Sequence, residues 1–147
     1  MSARKAKRGA KAAGTRTQDP EGTRQNIVEI ASEEFARNLE LQARVDTYLV
    51  LLLFVSFFRK TQRVSRADRR WLRFHLFASQ NPGAFQAENL RGRYLETTDL
   101  AASYTRFLDT LNGMRRLDEI RSFRSLDYGA KKERILALMD TPLLEDR

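Results

Sequence analysis

The chain has no cysteine, one histidine, three prolines and seven glycines among its 147 residues. Without cysteine there can be no disulfide, thiolate metal site or cysteine nucleophile. His75 stands alone, so zinc has no histidine pair and a triad built on it would have no second imidazole in reserve. No glycine lies between Gly22 and Gly83, which removes the residue that tight turns normally use. No phosphate loop, metal cluster, nucleophile–base pair or cofactor fingerprint occurs. The sequence therefore points away from an enzyme and calls for no cofactor. Internal repeats and strand alternation are also missing, which leaves an all-α reading.

What is present begins with Tyr48–Phe58, YLVLLLFVSFF, eleven residues with one hydroxyl (Ser56) and no charge. At about 1.5 Å per residue the run is too short for a bilayer core of roughly 30 Å, so no membrane partner is expected. It is longer than a usual strand and no turn residue flanks it. It reads as the central helix of the domain, apolar on every side and enclosed by the others.

The formal charge is +8, and it is unevenly placed. Arg4, Lys5, Lys7, Arg8, Lys11 and Arg16 fall within residues 1–18 beside no acid and no large side chain after Met1. Such a segment offers too little apolar surface to offset the entropy of ordering and reads as a disordered basic arm. A cationic arm can be a solubilising tail, a phosphate-binding arm or an acid-poor presequence. A length of 147 residues fits one domain, here 19–142, with 143–147 as a tail.

Asp19-Pro20-Glu21 is a helix start, with an N-cap carboxylate, proline at the first position and an acid in the first turn. Ile27, Ile30, Ala31, Phe35 and Leu39 then form one apolar face of a helix expected to end near Asn38. Thr15–Asn38, TRTQDPEGTRQNIVEIASEEFARN, resembles the first helix of the TetR family of transcriptional regulators, cationic arm included. Ala43–Asp46 resembles the start of that family's second helix. The resemblance implies a DNA-linked regulator, with Thr23, Arg24 and Arg44 near the DNA backbone and a cytoplasmic, bacterial location. It stops at Asp46. The family continues into a polar helix, a tight turn and a recognition helix, whereas this chain enters its apolar run, which has no donors and acceptors for a major groove.

Arg59–Arg73 carries seven cations against one acid, Asp68. Arg63, Arg66 and Arg70 are the candidates here for holding phosphates. The alternative is a helix packing Trp71, Leu72, Phe74, His75, Leu76 and Ala78 on the central run with its arginines in water. The expected DNA binding is therefore weak in sequence preference, since phosphate contacts position a protein without reading bases. Asn81-Pro82-Gly83 breaks the chain and is a candidate subdomain boundary. Beyond it lie a short helix over Phe85–Tyr94, one capped by Asp99 and closed at Asn112-Gly113, one faced by Met114, Leu117, Ile120 and Phe123, and a last one over Lys131–Met139. Asp109, Asp118 and Glu119 read as solvated partners of nearby arginines.

Phe57-Phe58-Arg59, the basic stretch, and then Leu72-Arg73 and Leu76-Phe77 resemble the LYR-motif mitochondrial assembly proteins, with Phe-Phe-Arg in place of Leu-Tyr-Arg. That resemblance implies a non-enzymatic protein of the mitochondrial matrix that docks on a protein partner. A homodimer through the apolar helices is a further expectation. Residues 40–60 separate the two readings: a polar turn there favours DNA, and a continuous helix favours docking.

Overall fold

The computed structural model describes residues 20–79, 81, 83 and 87–140; the six arm cations, Asp19, Phe85 and the expected tail 143–147 lie outside them. The described residues form five helices and contain no strand: α1 Pro20–Phe58, α2 Arg66–Arg73, α3 Glu88–Thr110, α4 Gly113–Arg124 and α5 Tyr128–Asp140. A π-turn, Phe74–Ala78, continues α2. The all-α single domain expected from the sequence is thus the observed architecture.

Helix α1 is 39 residues long, a rod of about 58 Å. The first helix does not end near Asn38. Neither glycine nor proline occurs between Gly22 and Phe58, and residues 37–45 are mostly good helix formers, so nothing interrupts the ladder. The rod stops only where Lys60 takes a left-handed conformation (φ 51°). There the Lys60 amide donates to the Phe57 carbonyl at 3.1 Å and the Thr61 amide to the Ser56 carbonyl at 3.1 Å. This is a Schellman ending with lysine where glycine is usual.

All four other helices meet α1 from one side, and the side chains that meet them are Leu41, Val45, Tyr48 and Leu52. The larger core joins Leu41 and Val45 to Leu100, Ala101, Tyr104, Leu108, Phe123, Tyr128 and Ile135. Tyr104 and Phe123 stack at 3.8 Å and 16°. A second core sets Tyr48 and Leu52 against Leu72. Packing therefore crosses Asn81 and Gly83 without a break between subdomains.

One-sided packing overturns two expectations. The run Tyr48–Phe58 is helical but not enclosed, because Val50, Leu53, Phe54, Phe57 and Phe58 are exposed. The face Ile27, Ile30, Ala31, Phe35 and Leu39 is exposed as well, because the first turns of α1 project beyond the other helices. Elsewhere, Asp99 caps nothing: α3 starts at Glu88 and passes through it. Helix α5 starts at Tyr128 rather than Lys131, with the Asp127 carboxylate accepting from the Ala130 amide at 2.8 Å. Of the α4 face, Phe123 is buried, whereas Met114 and Leu117 are exposed.

Helix α2 is held by a polar knot rather than by its aromatics. Leu72 is buried, but Trp71 and Phe74 are exposed, and exposed His75 lies 4.2 Å from the Trp71 ring. Arg69 and Arg73 turn inward and pair with Asp109, and the Tyr48 hydroxyl donates to the same carboxylate at 2.6 Å. Asp109 is 13% exposed, so it partners arginines as expected but is not solvated. Glu119 is also drawn inward, pairing with Arg134 at 2.5 Å and accepting from the Tyr104 hydroxyl at 3.3 Å.

Lys131 is the other buried cation, 2% exposed. Its Nζ donates to Asn38 Oδ1 at 2.7 Å and Gln42 Oε1 at 3.0 Å. Burial pushes its pKa down, with the Asp46 charge opposing. Between that depressed value and the ordinary one, the unfolded chain holds the proton and the folded chain does not. Stability from this group therefore rises with pH across that window. Burial raises the pKa of Tyr48, Tyr104 and Tyr128, so their contribution is present below the ordinary tyrosine range and is lost above it. Urea midpoints should show Lys131→Met neutral or stabilising, by about 1 kcal/mol or more, at pH 7. That advantage should shrink as pH climbs toward 9.5.

Candidate docking surface

The outward side of α1 is an apolar surface that the other described helices leave uncovered. Leu53 is 71%, Phe57 76% and Phe58 75% exposed, with Val50 and Phe54 near one half. Phe54 and Phe58 stack at 6.3 Å, and Phe57 meets Phe58 edge-on at 5.6 Å, so three rings form one connected cluster. At 150–250 Å² per aromatic side chain, these three rings leave roughly 300–500 Å² of apolar surface in water. That already matches the largest patch on an ordinary monomer. Leu39 and Phe35 extend the apolar side toward the N-terminus at 55% and 64% exposure.

The C-terminal end of this surface is basic. Arg59 pairs with Asp68 at 2.8 Å, whereas Lys60, Arg63, Arg66 and Arg70 are exposed. The other end is acidic, with Glu21, Glu29, Glu33 and Glu34 on the first turns beside Arg24. Glu33 is engaged with Arg37 at 3.3 Å and Arg93 at 3.4 Å.

The sequence-predicted nucleic-acid residues do not converge. Thr23 and Arg24 are exposed on the first turns of α1. Arg44 is on the same rod, about 30 Å further along, with its guanidinium 4.1 Å from the centre of the Tyr94 ring. Arg44 therefore packs against α3 rather than facing solvent, and its Nε is buried without a hydrogen-bond partner. Arg63, Arg66 and Arg70 sit in the loop before α2 and on α2, and among the described residues no carboxylate pairs with them. The turn and second helix that Ala43–Asp46 would introduce are absent, since these residues lie in mid-helix.

Two shallow grooves flank α1. One, of about 290 Å³, is lined by Glu40, Arg44, Leu76, Phe77 and Tyr94 among others. The second, of about 500 Å³, is lined by Glu29, Ile30, Glu33, Glu34, Arg37 and Tyr128. No group of three metal-ligating side chains occurs among the described residues.

The length of the apolar run argued against a membrane, but the helix containing it is longer. An 18-residue window of α1 reaches a mean hydropathy of 1.5, and 22% of that window is buried in the domain. Crossing a bilayer would strip Leu41, Val45, Tyr48 and Leu52 from the two cores they complete. Comparison with protein-family models, curated proteins and solved structures finds no match.

Adjacent residues of the run should respond oppositely to the same charge. Leu52→Asp buries a carboxylate without a partner and should cost about 3 kcal/mol or more. Leu53→Asp places it in water and should change stability by about 0.5 kcal/mol or less. Thermal melts of dilute protein make the comparison, and equal losses would contradict the one-sided burial of α1.

Proposed function

We propose that this protein is a non-enzymatic helical docking protein whose working surface is the outward side of α1. The observation that carries the reading is that an unbroken α1 presents Val50, Leu53, Phe54, Phe57 and Phe58 to solvent. The cost of leaving such a surface in water is removed when a partner covers it. A rigid rod with one side committed to the core can offer the other to a partner helix without reorganising, which lowers the entropic cost of association. The likeness of Phe57-Phe58-Arg59 to the LYR-motif assembly proteins points the same way and carries a mitochondrial location with it.

A second reading is supported by the exposed Arg63, Arg66 and Arg70 together with the basic arm. These cations would hold nucleic-acid phosphates in a TetR-like regulator, with little sequence preference. The unbroken helix over residues 40–58 weighs against it, because a reading helix has no turn from which to start.

Photo-crosslinking in the native cell separates the two. A photoreactive residue at Leu53 should give discrete protein adducts, whereas one at Arg66 or Arg70 should give none to nucleic acid. Nucleic-acid adducts from α2 with no protein adduct from Leu53 would reverse the choice.

A further inference from the structure

Along α1, Ala36, Ala43, Val50 and Phe57 recur every seven residues, and so do Ser32, Leu39, Asp46 and Leu53 between them. The steps alternate between four and three, which is the heptad spacing of a coiled-coil seam. This seam runs on the side opposite Leu41, Val45, Tyr48 and Leu52. Leu39, Val50, Leu53 and Phe57 are 55%, 48%, 71% and 76% exposed. Asp46 is the one charged member. Its carboxylate is drawn aside to Arg124 at 2.8 Å and accepts from Gln42 at 3.0 Å.

We propose that the seam joins two copies of this chain, α1 lying antiparallel on α1. The inference rests on the docking reading and deepens it by naming the partner. An antiparallel seam layers the first heptad position of one helix on the fourth of the other. With the twofold axis between Arg44 and Val45, every layer of this chain satisfies that rule. Ser32 faces Phe57 of the second copy, Ala36 faces Leu53, and Leu39 faces Val50. Small therefore meets large at the ends, two aliphatics meet between, and Ala43 opposite Asp46 lets the backbones approach at the axis.

Charge favours the same arrangement. The next layer outward sets Glu29 against Lys60 of the second copy, and the acidic first turns run beside the basic end at Arg59, Lys60 and Arg63. A parallel pair would instead place Lys60 on Lys60, Glu29 on Glu29 and Asp46 on Asp46, where like charges repel. Area agrees too. Leu39, Val50, Leu53 and Phe57 give the seam its exposed apolar area and Phe54 flanks it, toward the about 800 Å² per partner of a standard interface.

The full chain is tested by sedimentation and light scattering, with a mass twice 17.1 kDa as the expected result. Glu29→Lys should weaken the dimer by about tenfold or more, and adding Lys60→Glu should restore it. Both positions are exposed in the single chain, so helical content and melting measured on dilute protein should not move. Because the chain has no cysteine, orientation can be read directly. The double variant Leu39→Cys/Val50→Cys should oxidise to a linked dimer, and neither single variant should. A monomer up to millimolar concentration overturns the inference, as does linkage of Leu39→Cys to itself. A monomer whose Leu53 position crosslinks to a different protein would sink the homodimer and leave the docking reading standing. A monomer that instead binds phosphatidylglycerol vesicles, with no protein adduct, would remove both.

Discussion

Everything in this fold depends on α1 remaining one helix from Pro20 to Phe58. A rod of that length has more surface than four shorter helices can cover, and they cover one side of it. Leu41, Val45, Tyr48 and Leu52 step along that side at spacings of three and four and connect both cores. The same continuity leaves an opposite side that is nearly as apolar and is left uncovered by the described residues. The core and the candidate docking surface are thus two sides of one element, and an interruption of the helix would remove both.

Polar contacts fix where the smaller helices sit on the rod. Asp109 of α3 draws in Arg69 and Arg73 of α2 and the Tyr48 hydroxyl of α1, so one carboxylate joins three elements. Glu96 of α3 joins Arg37 of α1 to Lys132 of α5. Lys131 reaches back to Asn38 and Gln42. Removing Asp109 costs more than its knot contributes, because Arg69 and Arg73, each 19% exposed, are left without their carboxylate. That makes these contacts strong determinants of arrangement even where their net stabilisation is small.

Much of the architecture was legible in the sequence. Helical periodicity identified the all-α class, and α3 closes beside Asn112-Gly113 as expected, whereas the break expected near Asn38 does not occur. Other features were hidden for physical reasons. Apolarity says that a side chain would gain by leaving water, but not which neighbour will cover it. Ile27, Phe35, Leu53 and Phe57 therefore looked like core. Arg69 and Arg73 looked like a wet face because their partner, Asp109, is remote in sequence. The division of the run into a buried and an exposed side was available in principle: Leu41, Val45, Tyr48 and Leu52 follow one periodic track, and Ala36, Ala43, Val50 and Phe57 follow another. The cationic arm was legible only as composition.

Continuity of α1 can be measured as a distance. Cysteine-free chemistry allows spin labels at Arg24→Cys and Phe58→Cys alone, in protein diluted with unlabelled chain so that only distances within one molecule are read. An unbroken helix places the two backbone positions about 51 Å apart, from 1.5 Å per residue, and a single narrow distribution near that value is expected. A bend of 90–120° midway, as in a helix-turn-helix, would bring them to about 40 Å or less, and that result would contradict the continuous rod.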